Sequence, residues 1–209
     1  EGAAAKLSDF SRSPKQAALW QALSEQDLSE TTLKTQFSSS TLKQLIDKGL
    51  VTRFQTTPEP YQFQGLAEPA LQLTADQALA VTALNQAQGS FKSFLLEGVT
   101  GSGKTEVYLQ CIAPLLQAGK QVLVLLPEIG LTPQTLARFA RRFQAPILVW
   151  HSNLSDGERL QCWLQAASGA AAVIIGTRSA LFLPFRQLGL IIIDEEHDLS
   201  LKQQDGFRY

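Results

Sequence analysis

Residues 98–105, with the sequence GVTGSGKT, constrain the fold more than any other part of the chain. They fit the pattern G-x-x-x-x-G-K-[ST], in which a glycine-rich loop follows a strand and opens a helix. Residues 94–97, with the sequence FLLE, predict that short buried strand, and the amphipathic residues after the loop predict the helix. Gly98, Gly101 and Gly103 allow the backbone to turn tightly and to direct its N–H groups at a phosphate.

A second strong feature is the run LIIIDEEH at 190–197, an apolar strand that ends in carboxylates. Lys104 is expected to reach the β- and γ-phosphates of a nucleotide, and Thr105 to place its hydroxyl on the Mg²⁺ that bridges them. Asp194 is expected to hold the same Mg²⁺ through water, and Glu195 to orient and deprotonate the attacking water. A solvated charged loop is the alternative for the acidic run. The two features together predict a site that binds ATP and Mg²⁺ and hydrolyses ATP.

Short apolar runs and amphipathic stretches alternate after the loop. Strands are predicted at 121–127, 146–151, 171–177 and 190–194, and helices at 133–143 and 155–168. The runs at 122–126 and 190–193 lack polar alternation, as expected for parallel strands that are buried on both faces. This pattern predicts an α/β fold with a doubly wound parallel sheet, whose ligands gather at the carboxyl ends of the strands.

Several polar residues stand where they can serve either structure or binding. Gln77 has the spacing of a capping box with Thr74, but its amide also suits the adenine edge of a nucleotide. Thr132 marks a helix start whose free N–H groups can bind a DNA phosphate. Thr177 and Arg178 follow a strand and offer a hydroxyl and a guanidinium to a phosphodiester. A helix N-cap and a surface arginine are the structural alternatives for these residues.

The first third of the chain has a different plan. Residues 1–13 are small and polar and are expected to be a linker or a leftover of expression. Residues 14–64 are predicted to form a winged-helix module, 65–72 a linker, and 73–209 the larger domain, which the chain truncates.

The winged-helix prediction depends on small helices, the third at 40–48, followed by a hairpin with strands at 50–54 and 61–63. The third helix of such a module often enters a DNA groove, and here it presents Lys43 and Lys48. The residues before Pro69 include seven basic and eight acidic side chains. Because this balance leaves only a thin basic patch, a helical module that serves packing or protein contact is the alternative.

Composition excludes several classes of protein. The net charge of −1 over 209 residues excludes an overall basic footprint, so any contact with nucleic acid must be local. Cys111 and Cys162 lie in helical patterns without CxxC or Cys/His spacing, which argues against zinc and against a disulfide framework. No apolar run approaches the roughly 20 residues that span a bilayer, so we expect a cytoplasmic protein without membrane contact.

The longer motifs GVTGSGKTEVY, PEIGLTPQ, GTRSALF and IIDEEHD, followed by KQQDGFRY, resemble the bacterial primosomal replication-restart DNA helicases of superfamily 2. The likeness covers about residues 12–209. It implies a RecA-like first helicase lobe and ATP-driven 3′-to-5′ unwinding at stalled or collapsed forks. It also implies DNA forks, single-stranded DNA, single-strand-binding protein and primosome proteins as partners of a monomer.

The resemblance also assigns roles to individual residues. It implies a nucleotide-binding set made of Gln77, Gly98, Thr100, Gly101, Ser102, Gly103, Lys104 and Thr105. Thr177 and Arg178 are expected to touch the translocated strand, and His197 to couple nucleotide state to DNA. Phe207 and Tyr209 are expected to stack on a base and Arg208 to bind a phosphate, with packing beneath a loop as the alternative for the aromatic rings.

The chain departs from the family in what it lacks. The family's N-terminal domain, its second lobe with a cysteine-rich zinc region, and its C-terminal domain have no counterpart here, so we expect a fragment without zinc. The second lobe supplies an arginine worth about 10³–10⁵ in rate, so the fragment is expected to bind nucleotide weakly and to be nearly inactive. A nucleotide-gated winged-helix regulator without motor activity is the main alternative, and a small-molecule kinase is a weaker one.

Overall fold

The computed structural model describes residues 13–54, 57–87 and 89–202, and the chain divides into two compact units between Thr56 and Thr57. The first unit contains the helices α1 (Pro14–Glu25), α2 (Glu30–Gln36) and α3 (Ser39–Asp47). The side chains of Ser29 and Ser38 cap the starts of α2 and α3 by accepting hydrogen bonds from backbone N–H groups. The buried hydrophobic side chains of this unit are Leu19, Leu33, Leu42 and Leu45. The three predicted helices are thus present.

The hairpin predicted after α3 is wrong: residues 50–54 and 61–63, all of them described, contain no strand. The backbone N–H of Leu50 is used in ending α3, where it donates to the carbonyl of Leu45 at 3.0 Å beside Gly49 with φ +68°. Tyr61 belongs to the second unit, where its N–H donates to the carbonyl of Gly169 at 2.9 Å. The two segments therefore have different partners.

The second unit alternates helices with strands. Its helices are α4 (Ala75–Gln86), α5 (Lys104–Gln117), α6 (Pro133–Arg142) and α7 (Asp156–Ser168), and its strands are β1 (Gln121–Leu125), β2 (Ile147–Trp150), β3 (Val173–Gly176) and β4 (Leu188–Ile193). Short 3-10 helices follow the carboxyl ends of β1 and β3, at Glu128–Gly130 and Arg178–Phe182. The predicted strands and helices after the loop agree with this order to within a few residues.

The four strands form one parallel sheet in the order β2-β3-β1-β4. β1 and β3 are buried along their whole length, because helices cover both faces of the sheet. Residues of α5 and α6, among them Ile112 and Phe139, pack on one face, and Ala166 of α7 packs on the other. The prediction of a doubly wound α/β lobe is confirmed. All four carboxyl ends consequently lie at one edge of the sheet.

Two predictions for short segments differ from the structure. Residues 65–72 do not behave as a linker, because Leu66 forms an antiparallel bridge with Phe143 and the N–H of Ala67 donates to the carbonyl of Arg142 at 2.9 Å. Residues 94–97 form no strand, and Phe94 and Leu95 are 43% and 72% exposed. Apolar composition identifies residues suited to burial, but a strand also needs backbone partners.

None of the helices in the described ranges has the length and apolar composition needed to cross a bilayer.

Candidate nucleotide site

The glycine-rich loop turns sharply before α5. Gly101 and Gly103 have φ of +82° and +81°, values that residues with a side chain rarely adopt. Helix α5 begins directly after Gly103, at Lys104. At Gly98 the space is limited instead, because a Cβ there would lie 2.6 Å from Oγ of Ser102, which would have to move. The N–H of Ser102 donates to the carbonyl of Val99 at 3.1 Å and closes the turn. The loop thus has the compact form that its sequence predicted.

Lys104 folds back over this loop. Its Nζ donates hydrogen bonds to the carbonyl oxygens of Gly98 at 2.6 Å and of Val99 at 3.3 Å. Carbonyl oxygens at both positions hold the ammonium group at the mouth of the loop, where it faces an open cavity. A phosphate is a stronger acceptor than these carbonyls, so the lysine is poised to exchange one partner for the other.

The acidic run begins directly after β4. The N–H of Asp194 donates to the carbonyl of Leu125 at 3.0 Å and extends the pairing of β4 with β1. Oδ1 of Asp194 accepts hydrogen bonds from the hydroxyl of Tyr108 at 3.2 Å and from the N–H of Glu195 at 3.1 Å. Burial, and secondly the charge of Asp194, raise the pKa of Tyr108 well above its usual value, so the phenol remains a donor.

Glu195 has an unusual backbone conformation. Its φ is +51°, and it is the only residue other than glycine with positive φ in the part of the chain that the structure describes. Such a conformation costs free energy and tends to occur at functional sites, where the surrounding structure maintains it. Here it turns the chain immediately after Asp194.

The loop and the acidic strand end line one cavity of about 740 Å³. From the loop, the lining includes Thr100, Gly101, Ser102, Gly103, Lys104 and Thr105. Asp194 and Glu195 line the cavity from the sheet, and Arg138, Arg141 and Arg142 line it from α6. The cavity therefore offers the cations of Lys104, Arg138 and Arg141 and backbone N–H groups to phosphates, together with carboxylates for a metal or a water.

Gln77 supports the loop from outside. Its Oε1 accepts a hydrogen bond from the N–H of Thr74 at 2.9 Å, which confirms the capping-box alternative. Its Nε2 donates to the carbonyl of Ser102 at 2.8 Å, a contact that the sequence pattern did not indicate. The amide thus already has partners on both of its atoms, and a contact with adenine stays a prediction.

Three of the residues expected to contact DNA follow the carboxyl ends of parallel strands: Thr132, Thr177 and Arg178. Thr132 caps α6 by accepting a hydrogen bond from the N–H of Thr135 at 3.2 Å, so the N-cap alternative is confirmed. The N–H of Thr177 donates to the carbonyl of Trp150 at 3.2 Å, and the half-buried Arg178 begins a 3-10 helix. Because β1, β3 and β4 are parallel, Thr132 and Thr177 follow the same sheet edge as the acidic run.

The remaining predicted residues fall into separate places. Nε2 of His197 lies 3.5 Å from Oε2 of Glu195, and both side chains are exposed. Lys43 and Lys48 are both exposed, and Nζ of Lys48 donates to Oε1 of the buried Gln16 at 2.9 Å. The ammonium group of Lys48 therefore has a partner within its own unit. Phe207, Arg208 and Tyr209 lie outside the described residues.

Sequence reasoning missed the residues that support the site from a distance. Tyr108 lay in a helical pattern with nothing to link it to Asp194, which is 86 residues away. Glu106 directly follows the loop, but its ion pair with Arg142 spans 36 residues. The only available signal was the position of Glu106 and Tyr108 in the first turns of the loop's own helix.

The donor set around the cavity fits Mg²⁺. No group of three or more His, Cys, Asp or Glu residues that could hold a metal by itself occurs within the described ranges. Mg²⁺ bound with a nucleotide needs few protein ligands, because phosphates and water complete its octahedron. Thr105 and Asp194 supply a hydroxyl and a carboxylate to the same cavity, and both are oxygen ligands of the kind that Mg²⁺ prefers.

A doubly wound parallel sheet with a lysine-bearing glycine loop and an acidic strand end on one cavity defines the P-loop class of nucleotide-binding lobes. The sequence model of the DEAD/DEAH box helicases matches residues 74–209, and the chain belongs to this family.

The chain is also similar to proteins named Replication restart protein PriA. It is 50% identical to that of Haemophilus influenzae over 99% of this chain and 29% of the relative. It is 46% identical to that of Bacillus subtilis, over 84% of this chain and 22% of the relative. It is 48% identical to that of Synechocystis, over 79% of this chain and 20% of the relative. The resemblance to replication-restart helicases is confirmed, and the chain spans less than a third of the length of these curated relatives.

Proposed function

We propose that this chain is the first motor lobe of an ATP-dependent 3′-to-5′ DNA helicase of replication restart, which acts at stalled or collapsed forks in the bacterial cytoplasm. The observation that carries the proposal is that Lys104 lines the same cavity as Asp194 and Glu195. The names of the similar proteins support the setting in replication restart.

The proposed roles follow from the geometry of the cavity. Lys104 and the N–H groups of the loop bind the β- and γ-phosphates of ATP. Thr105 and Asp194 hold Mg²⁺, which neutralises phosphate charge when it is bound. Glu195 accepts a proton from the attacking water, and the bond from Tyr108 keeps Asp194 in place.

The proposed DNA contacts lie at the sheet edge and in the first unit. Thr132, Thr177 and Arg178 contact the translocated strand, and His197 reports the nucleotide state through Glu195. Lys43 binds a DNA phosphate. Lys48 either lies beside the same phosphate or supports this surface of α3 through its hydrogen bond to Gln16. Gln77 contacts adenine, and the aromatic segment with Phe207, Arg208 and Tyr209 stacks on a base and binds a phosphate. Single-strand-binding protein and primosome proteins are the proposed protein partners of a monomer.

The decisive experiment measures ATP hydrolysis by the full-length protein with and without single-stranded DNA. We expect DNA to stimulate hydrolysis, and Glu195→Gln to bind MgATP while losing about 10²–10⁴ of the stimulated rate, as for removal of a general base. Glu196→Gln makes the same chemical change one residue further on and should leave the rate near that of the wild type. Wild-type hydrolysis by Glu195→Gln would exclude this role. The present chain alone should turn over poorly, because the proposal assigns the transition-state arginine to a second lobe.

A nucleotide-gated DNA-binding regulator is the second candidate. Such a regulator would use the three-helix unit and the phosphate loop as a helicase does, but it would need no water-activating glutamate beside the metal ligand. It predicts binding of ATP without hydrolysis that DNA stimulates, so the same assay separates the two. A small-molecule kinase predicts a phosphorylated acceptor instead of free phosphate.

A further inference from the structure

A nearly buried ion pair joins the nucleotide loop's helix to α6. The guanidinium of Arg142 lies 2.5 Å from Oε2 of Glu106, and the two side chains are 7% and 11% exposed. Glu106 stands in the first turn of α5, directly after Thr105, and Arg142 is the last residue of α6. The pair therefore connects the residues of the phosphate loop with the helix whose other end is Thr132.

The carboxylate of Glu106 has donors from two further segments. Its Oε1 accepts hydrogen bonds from the N–H of Leu71 at 3.0 Å and from Nε2 of Gln110 at 2.8 Å. Gln110 also donates to the carbonyl of Leu71 at 2.8 Å, and the N–H of Ala67 donates to the carbonyl of Arg142. The segment 65–71 thus bonds to both ends of the junction and holds α5 and α6 together.

The charges of this junction balance each other. Burial alone would raise the pKa of Glu106, but hydrogen bonds from Gln110, Arg142 and the N–H of Leu71, with the charge of Arg142, lower it below its usual value. Glu106 therefore stays ionised near neutral pH. A buried charge that loses its partner is strongly unfavourable, so separating Glu106 from Arg142 is costly.

We propose that Glu106 and Arg142 are a positioning pair that couples the nucleotide loop to α6. A phosphate that displaces Lys104 and Thr105 shifts the first turn of α5, and the pair transmits this shift along α6 to the N-terminal end at Thr132. The ten residues of α6 form one helix of about 15 Å, rigid enough to carry a displacement from end to end. The inference rests on the proposed function, because it needs a nucleotide at one end and DNA at the other.

The test measures the dissociation constant of a fluorescent single-stranded oligonucleotide by anisotropy, with and without Mg²⁺ and a non-hydrolysable ATP analogue. In the full-length protein, the wild type should show a change of this dissociation constant of at least about fivefold, the lower range of energetic coupling between sites. Glu106→Gln and Arg142→Met should each reduce the change to less than about twofold, with oligonucleotide affinity in the absence of nucleotide nearly unchanged. The double variant should lose no more than either single variant, because both remove the same link.

A matched control separates positioning from general loosening of α5. The hydroxyl of Tyr61 donates to the carbonyls of Leu116 at 3.1 Å and Lys120 at 2.7 Å, at the opposite end of this helix. Tyr61→Phe should lower the thermal unfolding midpoint and keep the wild-type coupling. Loss of coupling in Tyr61→Phe, or full coupling in Glu106→Gln, would overturn the inference.

The full-length wild type separates failure of the proposed function from failure of the coupling. A full-length protein that binds neither the analogue nor the oligonucleotide contradicts the proposed function itself. A full-length protein that binds both without any mutual effect contradicts only the coupling through Glu106 and Arg142. A wild-type response that the single variants abolish supports both.

Discussion

The hydroxyl of Tyr108 donates a hydrogen bond of 3.2 Å to Oδ1 of Asp194, which joins the second turn of α5 to the end of β4. Lys104 and Tyr108 are four residues apart, so they lie on the same side of α5. One helix therefore carries the lysine of the glycine-rich loop and the phenol that contacts the acidic strand end. This contact links the two sides of the cavity.

Tyr108→Phe should lower the free energy of unfolding by about 1.5–3 kcal/mol, the usual range for a hydrogen bond to a charged group. Urea denaturation at neutral pH measures this change. In a double-mutant cycle with Asp194→Ala, which removes the accepting oxygen, the two effects should be less than additive, because both substitutions remove the same bond. Strict additivity would show that the two side chains do not interact.

Lys104→Ala should weaken the binding of a fluorescent ATP analogue by about tenfold or more, because it removes a charge-assisted contact to the phosphates. Nucleotide titrations at saturating Mg²⁺ measure the affinity. Lys15→Ala, which removes an exposed lysine from α1 in the other unit, is the control and should bind normally. Equal nucleotide affinities for Lys104→Ala and Lys15→Ala would show that Lys104 does not bind the nucleotide.

Gly103→Ala should destabilise the protein by about 1–3 kcal/mol, since alanine at φ +81° is strained and its Cβ would lie 2.5 Å from Nε2 of Gln77. Gly157→Ala is the contrasting variant. Gly157 lies in α7, and a Cβ there has no neighbour within 4 Å. It should raise stability by about 0.5–1 kcal/mol. Thermal and urea unfolding of both variants test whether the two substitutions change stability in opposite directions.

Tyr61 should make stability fall at high pH. Burial raises the pKa of Tyr61 to about 12, against an ordinary value of 10.0. Below pH 10 both states keep the proton and the contribution is fully present. Between these values only the unfolded state ionises, so stability is lost as pH rises, by up to about 1.4 kcal/mol per pH unit. When the free energy of unfolding is measured against pH, Tyr61→Phe should lack this loss of stability above pH 10. A profile identical to that of the wild type would contradict the assignment to Tyr61.

Lys43→Ala should lower the affinity for DNA and reduce the salt dependence of binding by about one phosphate contact. Lys48 is less suited to this test, because its bond to Gln16 means that substitution also disturbs packing. Anisotropy titrations at several salt concentrations give the slope, with Lys15→Ala as the control. An unchanged slope would mean that α3 does not contact the DNA backbone.

Local patterns predicted much of this molecule. The strands β1 to β4 and the helices around them were recognisable from apolar runs, capping residues and the glycine-rich loop, because these signals involve residues close in sequence. The predictions failed at residues 50–54, 61–63 and 94–97, where apolar or alternating composition suggested strands. Strand formation depends on backbone partners elsewhere in the chain, and composition does not report them.

By itself, the sequence determined the loop with Lys104, the acidic run with Asp194, and the parallel α/β order that brings strand ends to one edge. Only the tertiary structure decided that Tyr108 holds Asp194, that Gln77 supports Ser102, and that Glu106 pairs with Arg142. The first group follows from periodicity and from motif chemistry, which operate over a few residues. The second joins side chains as far as 86 residues apart, and such pairs exist only once helices and sheet have packed.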